Sequence, residues 1–150
     1  QPLFEFRRGQ TPYRPILLKI SPDLTNEQID NMIATMVECK IDGIVATNTT
    51  TSREGLSVSA AQIERIGNGG LSGAPLTKRS IEIVKYIHTK TEGRFPIIGV
   101  GGIMSVEDAL AMLDAGACLI QVYSGFIYNG PAFVKNICKA LIDREQKKSK

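Results

Sequence analysis

"PIIGVGGIMSVEDALAMLDAGACLIQVYSG", residues 96–125, contains two short apolar runs with one amphipathic segment between them. Residues 97–100 (IIGV) and 119–123 (LIQVY) are β-branched and short, as strands buried on both faces are. Between them, residues 105–115 predict a helix. Ser105 and Asp108 stand at capping-box spacing, and Gly116 follows as a C′ glycine. A strand, a helix and a second strand in so few residues imply a parallel pair joined by a right-handed crossover.

The same alternation extends toward both ends. Residues 16–20 (ILLKI) and 44–47 predict two further strands. Residues 25–40 predict a helix opened by Thr25 and Gln28, with Ile29, Met32, Ile33, Met36 and Val37 on one stripe. Residues 77–90 place Ile81, Val84 and Ile87 together. Residues 131–148 begin with proline in the first turn and turn Val134, Ile137, Cys138, Leu141 and Ile142 inward. The expected fold is α/β, with four parallel strands and helices outside. Pattern alone allows a small open sheet or half of an eight-stranded barrel. Each strand meets its special residues at its carboxyl end: Lys19, then Thr47-Asn48-Thr49, then Gly101-Gly102, then Tyr123-Ser124-Gly125. Barrel enzymes build their sites at that face with contributions from many strands, whereas the switch point of an open sheet uses mainly two.

Composition narrows the function classes. With 43% hydrophobic and 22% charged residues the chain is an ordinary globular sequence of 150 residues, long enough for one core. It has no stretch resembling a membrane span or a signal peptide, so the fragment is expected to be soluble. It starts at Gln1, so a longer parent protein is expected. A net charge of +3 is mild, and Arg7, Arg8, Arg14, Lys147, Lys148 and Lys150 predict solvated surface and no nucleic-acid partner. Cys39, Cys118 and Cys138 are odd in number and widely spaced, which fits a reducing compartment and neither a metal site nor a disulfide framework. His88, the single histidine, falls near a predicted helix end and is expected to be a surface residue.

Three segments look functional. "VATNTT" (45–50) follows an apolar run with four hydroxyl or amide side chains. Either a turn is being capped there or something flat and polar is held. The loop from Asn48 to Leu76 exceeds the usual length of a structureless connection and contains "NGGLSGAPL" (68–76), in which Gly69, Gly70 and Gly73 permit close backbone approach. "GVGGI" (99–103) precedes a capped helix and presents backbone N–H groups suited to an anion. Neither a P-loop nor a Rossmann fingerprint is present.

In order and spacing, "KISPDLT" (19–25), "GIVATNTT" (43–50), "GGLSGAPL" (69–76), "PIIGVGGI" (96–103) and the run 116–131 resemble the C-terminal half of class 2, quinone-dependent dihydroorotate dehydrogenase. The resemblance runs from about Pro15 to Leu141. It implies the second half of an FMN-binding (β/α)8 barrel over 15–150, with 1–14 as a lead-in, and oxidation of dihydroorotate to orotate in pyrimidine (UMP) biosynthesis. Lys19 corresponds to the family's flavin lysine, where a cation suits the charge that reduction leaves on the pyrimidine edge. Thr47, Gly73, Gly102, Tyr123 and Ser124 correspond to the other FMN contacts. Asn48 and Thr49 correspond to substrate-binding residues, whose mixed donors and acceptors suit a uracil-like ring bearing a carboxylate.

The family's catalytic serine lies in the first half of its barrel, and Ser21, Ser57 and Ser72 stand outside that motif. No catalytic residue is therefore assigned, and the chain by itself is expected to be inactive. Its expected partners are the missing N-terminal half or a second copy of the chain. The class also implies an N-terminal module, outside this sequence, that reaches quinone and makes the parent a peripheral membrane protein. A half-barrel of another phosphate-binding biosynthetic enzyme, or a non-catalytic half-barrel fragment, remains the alternative.

Overall fold

The computed structural model describes residues 2–148; Gln1, Ser149 and Lys150 lie outside the described residues, as do the side chains of Pro2, Leu3, Phe4 and Lys148. Helix α1 (Pro2–Arg8) precedes strand β1 (Leu17–Ile20), helix α2 (Asn26–Cys39) and strand β2 (Gly43–Ala46). A short helix α3 (Ala60–Ile66) and a 3-10 turn (Ala74–Leu76) lead into α4 (Thr77–Thr91) and β3 (Ile97–Val100). Helix α5 (Val106–Asp114), strand β4 (Leu119–Gln121), helix α6 (Ser124–Asn129) and helix α7 (Ala132–Lys148) complete the order. The strands form one sheet, β1-β2-β3-β4, parallel throughout.

The helices begin where side chains satisfy their first free N–H groups. Thr25 accepts from Gln28 N at 3.2 Å, and Gln28 returns the bond from the Thr25 N–H at 2.8 Å. Ser105 and Asp108 repeat the arrangement at 3.0 and 2.9 Å, with Asp108 also accepting from Met104 N. Each closed box removes two unpaired donors from a helix end, worth about 1 kcal/mol on the scale of N-cap replacements.

Burial alternates along the strands, and this corrects the expectation of strands buried on both faces. Ile20, Ile44, Ala46 and Ile97 point to the helices and share the core with Ile29, Met36, Ile83, Val84, Ile87 and Met112. The other set, Leu17 and Lys19, Val45, Ile98 and Val100, Leu119 and Gln121, faces away from the helices. In register, Lys19 pairs with Val45, Val45 with Ile98, and Ile98 with Leu119, so this row crosses the whole sheet. Leu119 is 61% exposed. The strands read as continuous apolar runs because both faces carry apolar residues, but only one face is covered by this chain.

Other boundaries differ slightly. β2 spans Gly43–Ala46, one residue earlier than expected, and β4 ends at Gln121 rather than residue 123. Of the helix stripes, Val37, Val134, Cys138 and Ile142 face solvent. Helix α7 packs on α5 and α6 through Phe133, Ile137 and Leu141, spaced by four. The next row, 134–138–142, is turned about 100° away and misses the core. The stretch from Asn48 to Leu76, expected as loop, contains α3 with its own capping box, Ser59 and Gln62. The lead-in is tied down through Asp42, which accepts from Arg7 at 2.7 Å, from Tyr13 at 2.5 Å and from the Ile16 N–H at 2.6 Å. Among the described residues no helix is long and apolar enough to cross a membrane.

Candidate functional site

The carboxyl ends of the four strands open onto one cavity of about 520 Å³, within the usual size of a small-molecule site. Lys19, Thr47, Asn48, Thr49, Gly73, Gly102, Tyr123 and Ser124 all line it, so every residue that the family resemblance assigned to cofactor or substrate lies on the same rim. β1 delivers Lys19, the segment after β2 delivers residues 47–49, the turn after β3 delivers Gly102, and the entry to α6 delivers Tyr123 and Ser124. Gly73 comes from the turn before α4. Among the described residues, the side chains of Lys19, Asn48 and Thr49 have no hydrogen-bond partner within the chain, and all three are exposed.

The six polar residues after β2 divide by direction. Thr47, Asn48 and Thr49 line the rim cavity, while Thr50, Thr51 and Ser52 line a second, outer groove. Thr47 and Thr50 bond within the chain, whereas the Asn48 and Thr49 side chains face the cavity. Thr47 is 2% exposed, and its hydroxyl lies 3.0 Å from that of Ser80 on α4 and 3.4 Å from the Val100 carbonyl. Its N–H donates to Val100 O, and the Asn48 N–H donates to Ile20 O at 2.7 Å. Thr50 and Leu71 exchange two backbone bonds, 3.0 and 2.8 Å, that close the long loop at its neck. The peptide between Ala46 and Thr47 is cis.

Asp23 and Arg53 are the residues that sequence reading missed. The Asp23 carboxylate accepts from the Thr50 hydroxyl, from the Thr51 N–H at 2.8 Å and from the Thr51 hydroxyl at 2.9 Å. These bonds, led by the one from Thr50, hold its pKa below the ordinary carboxylate value. Arg53 donates to the carbonyls of Gly67, at 3.3 Å, and Gly69, stapling the far leg of the loop. The only prior signal for Asp23 was its place in the KISPDLT motif; for Arg53 there was none, because its acceptors are backbone carbonyls that any residue supplies.

Glycine is required at the rim for two separate reasons. At Gly102, φ is +76° and an added Cβ would stand 2.2 Å from the Thr77 backbone nitrogen, so the turn after β3 abuts the start of α4. At Gly73, φ is +89° while the nearest atom to an added Cβ is Ser124 at 3.7 Å. Gly73 is thus kept for its backbone angle and the open space beside it. Ser72 and Ser124 join the two turns by a hydroxyl bond of 3.1 Å.

The remaining candidates lie elsewhere. His88 is exposed in the last turn of α4, as expected, with its ring against Gly93 and Gly116. Cys39, Cys118 and Cys138 are free thiols, and no group of potential metal ligands occurs among the described residues.

Parallel strands flanked by helices, with polar groups and glycine turns gathered at the strand ends, define part of an α/β barrel of the enzyme type. The chain belongs to the dihydroorotate dehydrogenase family, whose model matches residues 5–144. Among curated relatives, Dihydroorotate dehydrogenase (quinone) of Christiangramia forsetii is 52% identical over 131 residues, covering 87% of this chain and 37% of that protein. The protein of the same name from Shewanella sp. (strain ANA-3) is 53% identical over 136 residues, covering 91% of this chain and 39% of that one. The crystal structure of the ligand-free enzyme from Eimeria tenella superposes with a TM-score of 0.81 at 34% identity, over 91% of this chain and 38% of the other. The chain therefore spans less than two fifths of the relatives it matches, and its sheet is a partial barrel.

Proposed function

We propose that this chain forms the flavin- and substrate-binding rim of an FMN-dependent dihydroorotate dehydrogenase that oxidises dihydroorotate to orotate and passes the electrons to quinone. The observation that carries this reading is the convergence of eight residues from separate turns on one cavity. Lys19, Thr47, Gly73, Gly102, Tyr123 and Ser124 are the residues that would hold FMN, which supplies a two-electron acceptor when bound. The donor set suits such a group. Lys19 contributes a cation without a partner among the described residues, Gly73 lets a flat ring approach the backbone, and α6 is a short extra helix after the last strand, where barrels commonly seat a phosphate. Gly102, Tyr123 and Ser124 surround that place. Asn48 and Thr49 bind the substrate, offering an amide and a hydroxyl to the ring edge and carboxylate.

No general base is assigned within this chain. Proton removal falls to the remainder of the barrel, which with this chain constitutes the intact enzyme. The quinone port and the peripheral membrane contact belong to the N-terminal module that the class implies. The reading is tested by assaying the intact enzyme for dihydroorotate-dependent reduction of a soluble quinone, with fumarate and NAD as competing acceptors. Turnover with quinone alone is the expected result. Preference for fumarate or NAD, or no turnover with any acceptor, overturns it.

A further inference from the structure

The segment presenting Asn48 and Thr49 is anchored at both ends by the extension of β1. At the near end, the Asn48 N–H donates to Ile20 O at 2.7 Å. At the far end, Asp23 takes three bonds from Thr50 and Thr51. The turn bearing Asp23 is fixed in its own right. Arg79 of α4 donates to the carbonyls on either side of it, Pro22 O at 3.1 Å and Leu24 O at 2.7 Å, and the Asp23 N–H donates to Ser21 Oγ at 3.2 Å. Thr50 passes the restraint on through its Oγ1, which accepts from Ser52 N at 2.9 Å. A line of bonds therefore runs from α4 through Asp23 to the residue next to Thr49, entirely on the outer side of the loop.

We infer that Asp23 is a positioning residue for substrate, setting the orientation of Asn48 and Thr49 through Thr50 and Thr51; this rests on the substrate-binding reading of Asn48 and Thr49. The site favours a carboxylate, which accepts from the Thr50 hydroxyl on one oxygen and from both Thr51 donors on the other. An amide would have to turn its NH2 toward the Thr51 N–H, which cannot accept, or toward the Thr50 hydroxyl, which already accepts from Ser52 N and would lose its own acceptor. Without Asp23, the Ile20 bond and the Thr50–Leu71 pair keep the segment attached, so its aim is lost while the fold is retained. Misaim of binding groups weakens substrate capture, and none of the flavin-holding residues depends on this link.

The test uses the intact enzyme. Asp23→Asn is expected to raise the dihydroorotate KM about five-fold or more with an unchanged FMN-to-protein ratio, while Thr51→Val, which removes one bond of the three, raises KM by about two-fold. Because Asp23 acts through Thr50, Asp23→Asn combined with Thr50→Val is expected to show no higher KM than the stronger single variant. A purely structural role predicts a lower thermal midpoint with an ordinary KM in the folded fraction, and that result overturns the inference. So do KM increases that multiply in the double variant. Should Asp23→Asn not accumulate, Thr50→Val and Thr51→Val read the same link from the other side: raised KM supports it and wild-type KM overturns it. A wild-type enzyme without dihydroorotate turnover overturns the functional reading and this inference together. An active one whose variants keep their KM overturns this inference alone.

Discussion

Asn48 and its neighbour Thr47 line the same cavity with side chains in different states. The Thr47 hydroxyl is spent on Ser80 and backbone carbonyls, whereas the Asn48 side chain lines the cavity with no partner among the described residues. Thr50 thus caps the turn, Thr47 is held at the cavity wall, and the Asn48 side chain is available for a ligand. In the intact enzyme, Asn48→Ala is expected to lower kcat/KM for dihydroorotate by about ten-fold or more, mainly through KM, because an unpaired polar group in a dry site costs about 1–3 kcal/mol. FMN content and thermal midpoint should stay near wild type; a fallen midpoint with unmoved kinetics would return Asn48 to a capping role. Lys19→Ala is expected to weaken FMN retention and slow flavin reduction, with Lys19→Arg restoring only part, since the guanidinium keeps the charge without the compact geometry. Normal flavin content and reduction rate in the alanine variant would take Lys19 out of the site. Their places on the rim were legible because they lie at strand ends that can be read. Asp23 and Arg53 were not, since their partners lie 27 and 14 residues away and meet only once the loop closes.

At the level of elements, capping boxes carried most of the information and the stripe edges carried the errors. Thr25/Gln28 and Ser105/Asp108 located two helix starts to the residue. The same spacing at Ser59/Gln62 marks α3 and could have been read as well. Helix α6 gave no such signal: it lacks a side-chain cap, and its Phe126 and Ile127 are exposed. Periodicity placed Met36 and Val37 on one face of α2, yet Met36 is 1% exposed and Val37 52%. Met36→Ala should therefore cost about 2–5 kcal/mol through the cavity it leaves, and Val37→Ala about 0.5 kcal/mol or less. Chemical denaturation of the two variants in the intact enzyme checks this. Equal losses would mean that the exposed row of α2 is covered by the rest of the barrel.

The molecule as a whole is a sheet with one face finished. Helices cover Ile20, Ile44, Ala46 and Ile97, while the opposite row from Lys19 to Leu119 and the outer edges of β1 and β4 remain open in this chain. Uncovered apolar surface and unpaired strand edges drive association. By itself the chain is expected to sediment as oligomers or to require the other half of the barrel, and a monodisperse monomer that unfolds cooperatively would contradict this. Acid should loosen the molecule in a defined direction. Bonds from Thr50 and Thr51 depress the pKa of Asp23, and those from Lys90 and Tyr86 depress that of Asp30. At Asp42, burial pushes the pKa upward but is outweighed by bonds from Tyr13, Ile16 and Arg7. A depressed carboxylate contributes fully above its unfolded value of 3.8 and loses that contribution as pH falls through the folded value. The thermal midpoint is thus expected to fall below about pH 4, and Asp42→Asn should flatten that fall; an unchanged profile would deny Asp42 its role. That the chain is only part of a barrel could be read from its motifs and not from its periodicity, because four strand-helix units fit an open sheet equally well. The central claim, that the rim holds flavin next to dihydroorotate, is tested most directly by the visible flavin band of the purified intact enzyme during anaerobic titration with dihydroorotate. The account predicts a yellow protein whose band bleaches on titration and does so only weakly in Asn48→Ala. A colourless protein, or a flavin band that dihydroorotate leaves unchanged, would contradict it.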